Sequence, residues 1–129
     1  MRRRLVDALD VHWYPEARGS CAANPMDGCR VTEESTDAGV VAARKQAPRS
    51  LWDPGYSENS WIVNDSLHAP IRLLPRLKDK ISASYPGTRL AITEYNYGAG
   101  NHISGAIAQA DALGIFGRQE LFAAANAAG

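Results

Sequence analysis

At 129 residues, the chain is long enough for one ordinary domain and no more. Its 45% hydrophobic and 22% charged content is that of a globular protein rather than a disordered one. Fourteen Lys and Arg balance fourteen Asp and Glu, which excludes the electrostatic footprint of a nucleic-acid binder or of a protein held to an anionic membrane.

The cluster Arg2-Arg3-Arg4 could open a signal peptide, but Asp7 and Asp10 interrupt the apolar stretch that should follow. No run approaches the roughly 18 apolar residues of a membrane span. The expectation is a soluble chain without a signal peptide or a membrane segment.

The first element is Ala8-Leu9-Asp10-Val11-His12-Trp13-Tyr14, stopped by Pro15. As a strand it puts Leu9, Val11 and Trp13 on one face and Asp10, His12 and Tyr14 on the other. Polar groups along an otherwise buried strand point to a barrel interior or an active-site rim, although a satisfied core histidine is the commoner reading of His12 alone.

From Glu16 to about Ala69 the composition is turn-rich, a long connection for a compact domain unless it is functional. Cys21 and Cys29 lie within it, either as a local disulfide staple or as two free thiols. A metal site is not expected there, because no His or further Cys is close enough to complete four ligands. No other cofactor is called for.

A short helix is expected over Thr36 to Lys45, with Ala38, Val41 and Ala42 as its apolar face. The stretch Arg49 to Ile62 holds Trp52, Tyr56 and Trp61. These aromatics either form a carbohydrate platform or anchor the long loop, the latter being the reading for Trp61 beside Ile62 and Val63.

The next helix is expected from about Ile71 to Tyr85, with Leu74, Leu77, Ile81 and Tyr85 on its packing face and Arg76, Lys78, Asp79 and Lys80 toward solvent. Pro75 either marks the first turn or kinks the helix, and Pro86-Gly87 ends it. Leu90-Ala91-Ile92-Thr93 then reads as a buried strand closing on Glu94.

Asn101-His102 lead into a helix over about Ile103 to Ile115. Its expected packing face is Ile103, Ile107, Ala110 and Leu113, with Gly114 and Gly117 helping to end it. For Glu120 to Ala125 propensity favours helix but topology wants a strand, and strand is preferred.

Strand, long loop, helix, strand, helix, strand is the order of parallel βαβ units. The expected fold class is α/β, part of a (β/α)8 TIM barrel, because three strands cannot close a barrel that needs eight. At the carboxyl end of a barrel strand, Glu94 sits where catalytic groups are found. The residues alone leave it open between a glycosidase carboxylate and a cap for the following helix.

Several ordered motifs bear on that choice. Asp10-Val11-His12-Trp13-Tyr14-Pro15-Glu16-Ala17, the stretch from Arg49 to Ile62, Pro70-Ile71-Arg72-Leu73-Leu74-Pro75-Arg76-Leu77-Lys78, Ala91-Ile92-Thr93-Glu94-Tyr95-Asn96-Tyr97-Gly98 and the run from Gly100 to Gly117 together resemble glycoside hydrolase family 44. This family comprises endo-β-1,4-glucanases and xyloglucanases built on a (β/α)8 barrel. The resemblance spans Leu9 to about Phe122 and makes the chain look like strands six to eight of that barrel, with the N-terminal half missing.

The resemblance implies a retaining mechanism, in which two carboxyl groups about 5–5.5 Å apart act as nucleophile and as acid/base. Glu94 matches the nucleophile after the seventh strand, and the acid/base belongs to an Asn-Glu motif after the fourth, upstream of anything present. A glutamate in an ordinary environment, with a pKa of about 4.3, is ionised near neutrality as a nucleophile must be, whereas the acid partner needs a raised pKa.

His12 and Tyr14 match the sixth-strand motif and are expected to line the cleft, with Tyr95, Asn96, Tyr97 and Trp52 as further substrate contacts and Trp13 in the core. Glu16 and Glu58, both near aromatics in loops, are the candidates to stand in for the missing acid, against the family's pattern. The tail from Ala123 to Gly129 lacks the Trp that usually floors the subsite beside the cleaved bond.

The implied partner is a β-glucan polysaccharide or oligosaccharide, and the implied location of the parent enzyme is extracellular. The isolated chain is expected to be inactive on carboxymethylcellulose and xyloglucan. The alternatives are a non-catalytic oligosaccharide-binding remnant using Trp52, Tyr56 and Tyr97, or a truncated reading frame without function of its own.

Overall fold

A computed structural model describes residues 5–127. Three parallel strands form the central sheet: β1 (Ala8–Trp13), β4 (Arg89–Tyr95) and β5 (Ala123–Asn126), in the order β1-β4-β5. Helices α2 (Leu73–Ser84) and α3 (Ile103–Arg118) connect them, which is the expected βαβ arrangement. The tail is strand where topology asked for strand.

On β1 the alternation holds. Leu9 and Val11 pack against the hydrophobic core and Trp13 lies within it, while Asp10, His12 and Tyr14 are exposed on the other face. Leu90, Ile92 and Tyr95 are the matching core residues of β4.

The long connection after β1 is ordered. It contains a two-stranded antiparallel ribbon, β2 (Arg18–Gly19) with β3 (Cys29–Arg30), then α1 (Ala38–Gln46), a 3-10 turn (Ala47–Leu51) and a π-helical turn (Ile62–Leu67). Val31, Ala47, Leu51 and Val63 fix it to the main core, and Cys21 and Cys29 are joined as a disulfide beside Val40.

The buried face of α1 differs from the expected one. Val40 and Arg44 are buried, whereas Ala38 and Ala42 are exposed. The Arg44 guanidinium explains this. Its Nε donates to the Val31 carbonyl (2.7 Å), Nη1 to Ser104 Oγ (2.8 Å), and Nη2 to the carbonyls of Glu33 (2.6 Å) and Ser35 (3.1 Å). A buried charge is tolerated when its donors are met in this way.

Helix α2 starts two residues later than expected, with Pro75 in its first turn. Leu74 is fully buried, and Leu73, Leu77 and Ile81 pack beside it, but Tyr85 lies outside the helix and is 40% exposed. Arg76 and Lys78 are not simply solvated: Arg76 donates to the carbonyls of Ile71 and Pro70, and the Lys78 ammonium donates to the Gln119 carbonyl.

Helix α3 corrects two expectations. It buries Ser104, Gly105, Ala108, Ala112, Ile115 and Phe116, while Ile103, Ile107 and Leu113 are exposed by 68%, 44% and 53%. Small residues face inward because the backbones approach closely: a Cβ on Gly105 would sit 2.2 Å from the Ala99 carbonyl oxygen. The helix also runs through Gly114 and Gly117 to Arg118, since Ile115 and Phe116 tie its last turn into the core.

Among the described residues no helix is long and apolar enough to cross a membrane, and no group of three metal-ligating side chains occurs.

Candidate active site

The parallel ladder between β1 and β4 pairs Leu9 with Leu90, Asp10 with Ala91 and Val11 with Ile92, then shifts by one so that His12 pairs with Glu94 and Trp13 with Tyr95. Thr93 is the extra residue. A strand alternates faces strictly, so an unbroken β4 would put Glu94 on the side of Leu90 and Ile92, in the hydrophobic layer. The bulge reverses the alternation, and Glu94 emerges on the polar face beside His12. Bulges re-aim side chains in this way next to active sites.

There the Glu94 carboxylate gathers two partners from β1 and the residue just past it. The Tyr14 hydroxyl donates to Oε1, and His12 Nδ1 lies 3.1 Å from Oε2. The hydrogen bond to Glu94, with its negative charge, pushes the Tyr14 phenol above its ordinary range. The side chains of His12 and Glu94 remain 56% and 41% exposed, open to a ligand from the carboxyl end of the sheet. The helix-cap reading of Glu94 fails: the cap of α3 is His102, whose side chain accepts from the Ser104 amide.

The other expected contacts do not converge on this carboxylate. Tyr95 is buried on the helix side, its hydroxyl accepting from Gln109 Nε2 (2.7 Å) and its ring edge-on to Phe116. Tyr97 is buried too, and burial drives its phenol pKa well up. Neither offers a ring face to a sugar.

Asn96 is engaged with backbone, accepting from the Gly98 amide and donating to the Ala127 carbonyl. Trp52 lies under the Arg118 guanidinium (4.4 Å), at the end of α3 remote from His102 and so remote from Glu94. Trp61 is 56% exposed and does not anchor the long loop; its neighbours Ile62, Val63 and Leu67 do. Tyr56 is half-buried beneath Arg49.

Of the two stand-in acids, Glu16 is paired with Arg30 at 3.4 Å. Glu58 is 3% exposed, accepts from Ser50 Oγ (2.5 Å), and is pushed upward in pKa by burial. A raised pKa suits an acid, but a carboxyl group so enclosed reaches no glycosidic oxygen.

Sequence reasoning missed Thr93 and the role of Asp10. Asp10 Oδ1 accepts from the Thr93 amide (3.0 Å) and Oδ2 from the Thr93 hydroxyl (2.5 Å). No one-dimensional pattern marks a bulge. Simple alternation past Glu94, however, would have put Tyr95 and Tyr97 on the face away from it.

No family model matches the sequence. Individual relatives do. Endoglucanase A of Paenibacillus lautus is 51% identical over 122 residues, covering 95% of this chain and 16% of its own length. The family 44 endoglucanase of Clostridium thermocellum superposes with a TM-score of 0.83 at 51% identity, over 96% of this chain and 23% of that one. A Paenibacillus polymyxa family 44 xyloglucanase solved with xyloglucan gives 0.84 at 48% identity, again over 96% and 23%.

The chain belongs to glycoside hydrolase family 44. It spans about a quarter of the length of these solved family 44 chains and less of the curated relative.

Proposed function

We propose that the chain supplies one half of the two-carboxylate active site of a retaining endo-β-1,4-glucanase or xyloglucanase, with Glu94 as nucleophile. One observation carries this reading. A carboxylate at the carboxyl end of a parallel strand is turned out of the hydrophobic layer and held by Tyr14 and His12 on an open face. Relatives named endoglucanase and xyloglucanase lend the substrate class, a β-glucan polysaccharide or oligosaccharide.

In this role β1, β4 and β5 are strands six, seven and eight of the barrel. The surfaces left exposed on α3 and β5 are those its other elements would cover. Glu94 attacks the anomeric carbon, and the glycosidic oxygen leaves with a proton from the acid partner. A covalent glycosyl ester forms. Water, deprotonated by the same partner, then cleaves the ester and frees Glu94. The Tyr14 hydroxyl orients the attacking carboxylate and stabilises it again as the ester breaks.

The acid/base is a residue outside these 129, because neither Glu16 nor Glu58 is free to serve. The chain alone is therefore inactive. The Cys21–Cys29 disulfide fits an extracellular parent.

The test is a chimera in which residues 8–126 replace the matching stretch of a family 44 endoglucanase. Glu94→Ala should lower kcat on 2,4-dinitrophenyl β-cellobioside by at least about 10⁴-fold. Added azide should restore turnover and yield the α-glycosyl azide, since azide then takes the place of the missing nucleophile. An active chimera indifferent to Glu94→Ala, or rescue giving the β-azide, would overturn the assignment. Turnover of carboxymethylcellulose or xyloglucan by the isolated chain, abolished in Glu94→Gln, would show instead that a second carboxylate within it suffices.

A further inference from the structure

We infer that Asp10 is a positioning residue for Glu94: its carboxylate holds open the bulge at Thr93 that turns Glu94 onto the face of His12 and Tyr14. The inference rests on the nucleophile reading only for its functional meaning. The geometry stands by itself.

Either side of Thr93 the ladder is regular. Val11 pairs with Ile92 before it and His12 with Glu94 after it, and on the opposite edge Ile92 pairs with Ala124 and Tyr95 with Asn126. Two residues of β4, Thr93 and Glu94, thus stand against one on each neighbouring strand. A bulged residue is left out of the ladder, and its amide needs another acceptor.

Asp10 provides it, at 3.0 Å from the Thr93 amide, and takes the Thr93 hydroxyl at 2.5 Å with its second oxygen. Both donors of the extra residue are met by one side chain, two residues before His12 on the polar face of β1. These bonds also favour the ionised carboxylate, holding its pKa below the ordinary aspartate range. Asp10 touches neither His12 nor Glu94 through a hydrogen bond, and beyond its charge interaction with His12 its hold on Glu94 passes through the backbone of β4.

Strand parity supplies a specific control. Deleting Thr93 makes β4 regular against both neighbours and still leaves Glu94 opposite His12, since the odd residue is gone. In that background Asp10 has no bulge to hold. The test is a double-mutant cycle in this chain, pairing Asp10→Ala with the Thr93 deletion. It is read by NMR titration of the Tyr14 phenol, which reports the nearby Glu94 charge, and by exchange of the Thr93 amide where that residue is present.

Asp10→Ala alone should bring the Tyr14 titration back toward the ordinary tyrosine range and speed Thr93 exchange by at least about tenfold, while Asp10→Asn, which keeps one acceptor for the amide, should retain most of the wild-type behaviour. In the deletion background Asp10→Ala should leave Tyr14 unmoved.

Should Asp10→Ala lose its cooperative unfolding transition, Thr93→Val, which removes only the hydroxyl, replaces it and should shift Tyr14 in the same direction. Unchanged Tyr14 titration in these variants, or an equal shift with and without Thr93, would overturn the inference. None of these readouts involves glycoside cleavage, so failure of the azide test would remove the nucleophile role and leave this result standing.

Discussion

Replacing Arg44 with Met should destabilise the fold more than any other single change on α1. The substitution keeps the apolar stem and removes the guanidinium, the shared donor of four acceptors. The Val31 carbonyl is bonded in buried surroundings, and leaving it unmet costs about 1–3 kcal/mol; the buried Ser104 hydroxyl keeps its 2.9 Å contact with His102 Nδ1 but loses a bond to a charged donor, for about 1.5–3 kcal/mol. The carbonyls of Glu33 and Ser35 lie nearer the surface, where water can replace the lost donor for about 0.5–1 kcal/mol apiece.

Relief from burying the charge offsets part of this, leaving a net loss of about 3–5 kcal/mol. Against a typical total of about 5–15 kcal/mol, that is a large share. Urea unfolding followed by tryptophan fluorescence should show a midpoint lowered by about 2 M, taking a slope of about 2 kcal/mol per M. The neighbouring exposed Lys45→Met should shift it by less than about 0.5 kcal/mol. A loss below about 1 kcal/mol in Arg44→Met would mean that the guanidinium merely fills space, and the account of α1 would fail.

Glu58 is a buried acid with its pKa raised by desolvation, so the folded state binds its proton more tightly than the unfolded one; its contribution to stability should be fully present below the unfolded pKa and be lost as pH rises through the folded pKa, by at most about 1.4 kcal/mol per pH unit for one proton, and Glu58→Gln should remove that part of the slope in urea titrations. Replacing both Cys21 and Cys29 with Ser opens a loop of sequence separation 8, and the chain-entropy relation gives a loss of about 2.5 kcal/mol in the same assay. On α3, Ile107→Ser at an exposed site should cost under about 1 kcal/mol, whereas Ala112→Leu at a fully buried one should cost about 1–3 kcal/mol through overpacking; the reverse ranking would restore the face expected from the sequence.

The sequence was most legible where one physical rule acted alone. On β1 strict alternation separated Leu9, Val11 and Trp13 from Asp10, His12 and Tyr14, and both faces are found as read. Around α3 the same kind of reading failed, because hydrophobicity and burial part company where backbones meet closely. Ser104, Gly105, Ala108 and Ala112 go inside, with Ile115 and Phe116 at the last turn, and Ile103, Ile107 and Leu113 remain outside.

Arg44 misled the reading of α1 for a different reason. An arginine signals solvent unless its acceptors, scattered here from Val31 to Ser104, are already known to converge. In the site itself, Glu94 was legible from its strand-end position. Its orientation was not, since Thr93 is a bulge only by virtue of its pairing with two other strands.

That orientation also bears on the proposed inactivity of the isolated chain. Hydrogen bonds and charges at a reacting centre act strongly where water is excluded and the local dielectric is low. The polar face of β1 and β4 faces solvent here, with Glu94 and His12 each about half exposed. The Tyr14 donor therefore competes with water for the carboxylate it orients. Enclosing the same face within a complete barrel removes that competition, and two effects then act on Tyr14 with one sign. Desolvation disfavours its phenolate, and the Glu94 charge repels that phenolate more strongly at lower dielectric. The Tyr14 titration should therefore lie higher in the active chimera than in the isolated chain, and Glu94→Gln should lower it more in the chimera. Equal titrations in both would mean that closure does not dry the site, and the proposed inactivity of the isolated chain would then rest on the proposed lack of an acid/base alone.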